Sequence, residues 1–262
     1  MRISPAIFPL VGISYFLTHP YLYPLLRARL LPCFLLSTFV LLTLFIWTYL
    51  PQVAFLYLFH GRASAWLNGT ILVLGEASAI IALLFEAFFI DETQVDVFDS
   101  ILVAKGHDEL VSNSRPVLPE EIEPDPLLRL ERPTEKALFA PFSLLQIVEF
   151  IAFLPVNLIP WVGVPLFVFL TGRRAGPLLQ YRYHVLKGWD KKERKVFVKR
   201  NRGGYTLFGM VALVLQLVPV LSMLFLLTTA AGSALWAVQL EELERPQGDV
   251  AGEEEHYADD PV

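Results

Sequence analysis

Cysteine is almost absent: Cys33 is the only one in 262 residues. An intrachain disulfide and a thiolate metal set are therefore excluded. The histidines, His19, His60, His107, His184 and His256, fall in separate segments with no HExxH spacing. A zinc-peptidase site is missing too. No Gly-x-Ser-x-Gly, phosphate loop or dinucleotide fingerprint occurs. The chain is read as non-enzymatic, with no cofactor and no metal. Beyond Arg2 there is no basic leader and no small-residue cleavage site, so no signal peptide is read. Charge is missing over long stretches. Leu30–Leu50 has none, and Phe139–Gly172 has no Lys, Arg or Asp and one Glu, Glu149.

What is present is apolar. Apolar residues make up 55% of the chain and the mean hydropathy is +0.52. Soluble proteins lie nearer ~45–50%. The excess sits in long runs, which predicts an all-α integral membrane protein. Two long transmembrane helices are expected in residues 30–90. Leu30–Leu50 would be about 31 Å as a helix, enough for a bilayer core. Pro32 falls in its first turn, where proline is tolerated. Trp66–Ile90 is the second. Residues 1–29 are broken by Pro5, Pro9, Pro20 and Pro24. Their aromatic residues suit an interfacial segment.

Two proline-broken re-entrant, partly penetrating helical hairpins are expected in residues 137–240. Within Phe139–Gly172, Pro155 and Pro160 flank Asn157. Phe139–Leu154 would be about 24 Å long and Trp161–Thr171 about 16 Å, each too short to span. A turn inside the membrane fits both lengths, with Asn157 at its apex. One ordinary span with a proline kink is the alternative. Tyr205–Val238 is also uncharged and is divided by Pro219. It reads as a second hairpin, or as one kinked span. The Ala230-Ala231-Gly232-Ser233-Ala234 run suits close helix contact.

Four intramembrane polar candidates stand out: Glu76, Glu86, Glu149 and Asn157. An acid at mid-membrane costs ~2.5 kcal/mol or more, so such groups face a bundle interior or water. Glu76 and Glu86 lie about 15 Å apart along one helix, too far for a catalytic pair. Each either bonds to a neighbouring helix or serves transport. The sequon Asn68-Gly69-Thr70 begins a predicted span and is read as a chance match.

The charges are segregated. Arg173–Arg202 holds eleven Lys or Arg against Asp190 and Glu193. Within this link, 173–203, the membrane-surface candidates are Arg173, Arg174, Arg182, Lys191, Lys192, Arg194, Lys195, Lys199, Arg200 and Arg202. Asp190 with Glu193 predicts a capped helix start. The helix after it is basic and carries Val196, Phe197 and Val198, as a segment lying on an anionic leaflet would. The apolar runs on both sides argue against nucleic acid. Residues 91–136 form an acidic, proline-rich cytoplasmic insertion with twelve acids and five bases. Its start, DETQVDVFDSILVAKG, could form a short amphipathic helix; its acids read as a solvated face and the rest as loop or disorder. Residues 241–262 read as an acidic disordered tail.

Particular stretches carry a family resemblance. LPVNLIPWVG (Leu154–Gly163) and KKERKVFVKRNRGGYTLFGMVALVLQLVPVLSM (Lys191–Met223) resemble the CysZ / etoposide-induced membrane-protein family. FLTHPYLYPLL, LGEASAIIALLFEAFFIDETQVDVFD and APFSLLQIVEF resemble its fungal branch more closely, the outer-spore-wall (Rrt8/Lds-like) membrane proteins. The resemblance implies spanning helices with partly penetrating hairpins and both termini in the cytoplasm. From the fungal branch it implies endoplasmic-reticulum or lipid-droplet association and a role in spore-wall assembly. From the bacterial branch it implies uptake of a small anion such as sulfate. The acidic insertion and tail depart from the bacterial pattern. The first expectation is therefore a non-enzymatic, multi-pass organiser of endomembranes, and the second is an anion transporter or channel. The expected partners are a lipid bilayer or lipid-droplet monolayer, anionic lipids and a second copy of the chain.

Overall fold

The computed structural model describes residues 3–58, 61–88, 91–132, 162–218 and 221–244. The elements in chain order are α1 (Phe8–Thr18), α2 (Tyr23–Trp47), α3 (Tyr49–Tyr57), α4 (Arg62–Phe88), α5 (Asp91–Ala104) and α6 (Asp108–Ser112). After the undescribed stretch come α7 (Gly163–Leu179), α8 (Tyr181–Leu186), α9 (Lys191–Arg200), α10 (Arg202–Gln216) and α11 (Ser222–Glu244). An isolated bridge pairs Val117 with Leu130.

The fold is built around α11. It packs on α1 and α5 and touches α2, α4, α7 and α10. Leu227, Ala230, Ala231, Ala234 and Ala237 on it are fully buried. The small residues let backbones approach closely, as expected of the Ala230–Ala234 run. A Cβ on Gly232 would overlap the Phe8 carbonyl oxygen, and one on Gly12 would overlap the Thr228 carbonyl oxygen. A second seam joins α7 to α10. Gly172, Gly176 and Gly209 each lie where a Cβ would strike the facing backbone. Both seams exchange side-chain volume for backbone contact.

The expected pair of long spanning helices does not form. Leu224–Glu244 is the one helix among the described residues long and apolar enough to cross a membrane. Its most apolar window is 61% buried inside the fold, as in a core helix. Leu30–Leu50 fails as a single span because the helix breaks at Thr48. Phe34–Trp47 and Tyr49–Tyr57 meet there at 46°, and only as one broken unit would they pass the same test. The expected second span begins earlier than predicted, at Arg62, and packs sideways on α2 and α3.

The two expected re-entrant hairpins lie only partly within the described residues. Most of the first, with Pro155, Pro160, Glu149 and Asn157, lies outside the described residues. Its outgoing arm runs on past Gly172 through Arg173, Arg174 and Pro177 to Leu179, and packs on α10. The second has arms of different character. The α10 arm has α7 as its main partner, and the longer α11 is the core helix with α1 and α5 as its main partners.

The acidic insertion starts with the expected helix, α5, and runs on through α6 as turns and loop, with Glu92, Glu109, Glu120 and Glu121 exposed. The inner face of α5, Asp99 included, is not solvated. Val95, Val97, Phe98, Ile101 and Leu102 of α5 have no exposure, and neither do Asp99 and Ser100. Beyond α5 the chain is tied down by guanidinium groups. Arg129 donates to the Leu118 carbonyl at 2.8 Å and to Asp108 at 2.7 Å.

Candidate functional site

Two polar arrangements stand out on this frame, one buried and one exposed. The buried one centres on Asp99, on the inner face of α5. Arg182 of α8 reaches it with two donors, Nε at 3.0 Å and Nη2 at 2.6 Å. The same Nη2 lies 2.6 Å from Ser114 Oγ. Arg115 donates to Asp96 at 2.7 Å and to the Glu131 carbonyl at 2.6 Å, and its Nη1 is 3.5 Å from Asp99. Burial holds the Asp99 carboxyl above the usual carboxylate range, against the pull of Arg182 and Arg115. A bidentate guanidinium matches a carboxylate in shape as well as charge. Arg182 is therefore not a membrane-surface residue: its side chain is 3% exposed. The cluster ties residues 91–132 to α8. Among the described residues no group of His, Cys, Asp and Glu could hold a metal ion.

The exposed arrangement is α9. Gly188, at φ +67°, turns the chain out of α8. Asp190 then caps α9, accepting from the Lys192 and Glu193 backbone N–H groups at 2.7 Å each. Glu193 returns a bond from the Asp190 N–H at 2.9 Å, completing the predicted capping box. The inner face of α9 rests on aromatic rings. Phe197 lies 4.5 Å from Trp189, and Arg194 sits over Tyr181 at 5.0 Å. The outer face presents Lys191, Lys192, Lys195, Lys199 and Arg200, all exposed, with Val196 at 68% exposure among them. Arg202 is exposed at the start of α10, and Arg173 and Arg174 are exposed on α7.

Beneath α9 lies His184, which no local motif in the sequence singles out. It is 1% exposed and stacks on Trp189 at 5.5 Å. Its Nε2 pairs with the Tyr205 hydroxyl at 3.0 Å, and its Nδ1 has no partner. Burial, with the Arg194 charge, pushes its pKa down to about 4. The imidazole is neutral at physiological pH and serves as an aromatic spacer. Nearby, Lys187 pairs with Glu241 and Glu244 at 2.9 Å each, so the start of the acidic tail is held at the end of α11.

Of the polar candidates, Glu76 accepts from the Gln52 amide at 2.7 and 2.8 Å across the α3–α4 contact. This is the neighbouring-helix alternative. Glu86 lies on α4, and Glu149 and Asn157 lie outside the described residues. Asn68 of the sequon is 8% exposed, and its side-chain N–H lies 3.4 Å from the Ser64 hydroxyl.

Fold and surface thus define an all-helical protein with a buried ion lock and a cationic exposed helix. The chain is similar to the outer spore wall protein RRT8 of Saccharomyces cerevisiae, at 29% identity over 163 residues, covering 57% of this chain and 47% of the relative. It spans about half the length of that relative. No family model matches the chain, so the CysZ resemblance gains no support. No solved structure matches it.

Proposed function

We propose that this protein is a non-enzymatic component of spore-wall assembly. It works at the endoplasmic-reticulum or lipid-droplet surface, where α9 seats it on anionic lipid. The name of the relative, an outer spore wall protein, supports the process. The outer face of α9 supports the location. Lys192, Lys195 and Lys199 recur at helical spacing around the exposed Val196. Cations over a short apolar contact suit a headgroup layer. In this reading α9, residues 91–132 and both termini share the cytoplasmic side, because Lys- and Arg-rich segments stay there. The anion-transport reading has no support from the relative. The single observation that carries the proposal is the capped, wholly exposed cationic face of α9.

The test is binding of the full chain to neutral phosphatidylcholine vesicles with and without phosphatidylserine. Phosphatidylserine is expected to tighten binding. Replacing Lys191, Lys192, Lys195 and Lys199 with Glu should abolish the gain, at about 1 kcal/mol per basic residue. Equal binding to both vesicle types would refute the α9 reading. Fluorescent localisation against endoplasmic-reticulum and lipid-droplet markers tests the organelle.

A further inference from the structure

The largest unexplained surface is elsewhere, on α2, α3 and α4. Leu31, Leu35, Phe39, Leu42 and Ile46 recur every three or four residues along α2, and each is at least 56% exposed. They form one helical face, turned outward. Trp47 at the end of α2 is 75% exposed, Leu50 on α3 61%, Leu58 just after α3 76%, and Leu67 on α4 63%. A soluble helix points such a face inward. An exposed apolar stripe of this length on one helix marks a binding face.

We propose that this face enters one leaflet of a membrane, with lipid acyl chains as its occupant. Charge complementarity selects lipid. No charged residue lies between Arg29 and Arg62, so the face is charge-free where acyl chains would lie. Arg27, before it, is exposed, as a residue facing phosphate would be. A helical interface with a second copy would carry a polar rim or flanking charges. Two threonine hydroxyls on this stretch bond back to the carbonyl four residues earlier, as hydrocarbon favours, while Ser37 and Thr38 on α2 keep buried hydroxyls without a partner. Exposed Thr43 donates to its own helix at the Phe39 carbonyl at 2.8 Å, and Thr48 donates to the Leu44 carbonyl at 2.7 Å. Tyr49 pairs with Thr70 at 3.0 Å across the α3–α4 contact. Geometry suits entry into one leaflet. The straight arm Phe34–Trp47 is about 21 Å long against a core of about 30 Å, and α3 turns away from it by 46°. The inference deepens the proposed membrane association but does not depend on α9. That helix supplies charge attraction, whereas this face supplies apolar burial.

The experiment uses the full chain with Cys33→Ser and a bimane label at position 39, 46 or 195. It is bound to vesicles of pure phosphatidylcholine, which give α9 no net charge to bind. Nitroxide quenchers are placed on the lipid acyl chains. Labels at 39 and 46 should be quenched, and a label at 195 should not. Unquenched labels at 39 and 46 would overturn the proposal, whether residues 133–161 or a second copy covers the face. In a second arm, Phe39→Asp with Ile46→Asp should reduce partition into the same vesicles by at least about tenfold. The circular dichroism spectrum should be unchanged, because both positions are exposed. Unchanged partition of a folded double variant would also overturn the proposal. Loss of the phosphatidylserine effect alone would refute the α9 reading and leave this one standing.

Discussion

The two halves of the molecule treat polarity in opposite ways. Around α5, α8 and α11 polar groups are buried within the apolar core: Asp99, Arg182 and Ser233 are all at or below 3% exposure and are hydrogen-bonded. Around α2–α4 the outside is apolar, with Phe39 at 68% and Trp47 at 75% exposure. The buried charges Asp99, Arg115 and Arg182 of the first half have their partners within the chain. The second presents surface that water does not satisfy. Stability should therefore reside in the first, and association with lipid in the second.

The strongest way to break the comparison is at the ion lock. Asp99→Ala leaves Arg182 buried without its carboxylate and should cost about 3–5 kcal/mol, read from denaturant unfolding in detergent. Glu76→Gln is the matching change in the other half. Gln52 can still bond to the new amide, so a loss of about 1 kcal/mol or less is expected. Equal losses would erase the distinction.

Next in size is a pH effect at His184. Its folded pKa of about 4 lies below the ordinary value of 6.5. The unfolded chain therefore takes up a proton that the folded chain refuses. Stability is complete above about pH 6.5 and falls as pH drops toward about 4, by up to about 3 kcal/mol. His184→Phe should flatten that part of the unfolding-midpoint profile. An unchanged slope would show that His184 is not the group responsible.

The glycine seams come third. Gly176→Ala places a Cβ against the Tyr205 carbonyl and should cost about 1–3 kcal/mol. Gly75→Ala, on α4 with open space at its Cβ position, should change little or stabilise slightly. The cap follows: Asp190→Ala should cost about 1 kcal/mol and increase amide exchange in the first turn of α9. Smallest is Leu42→Ser on the exposed α2 face, expected within about 0.5 kcal/mol of wild type.

Local chemistry was legible in the sequence, and long-range pairing was not. Asp190 and Glu193 announce a capped start because the capping box is complete within four residues, and the structure has it. The small residues at 230–234 announce a close crossing, which Gly12 and Gly232 make. Glu76 was read with the neighbouring-helix alternative that the Gln52 bond supplies. Arg182, by contrast, sits in a basic run and was read as surface. Its carboxylate lies 83 residues earlier in the chain, in an acidic segment read as solvated. No local pattern joins those two. The spans depart from expectation for a related reason. Hydropathy records that a run avoids water, and both α11 and a membrane helix do so. Only packing shows that α1 and α5 cover α11.

The central claim is that the α2–α4 face meets lipid while the α5–α11 side is closed on itself. Spin labels at Phe39, Leu42 and Ile46, with one at Ile101 for contrast, separate the possibilities by collision with oxygen and with a water-soluble nickel chelate. In phosphatidylcholine vesicles the three α2 labels should collide readily with oxygen and poorly with nickel, and the Ile101 label poorly with both. High nickel accessibility at 39, 42 and 46, or low accessibility to both reagents there, would contradict the account.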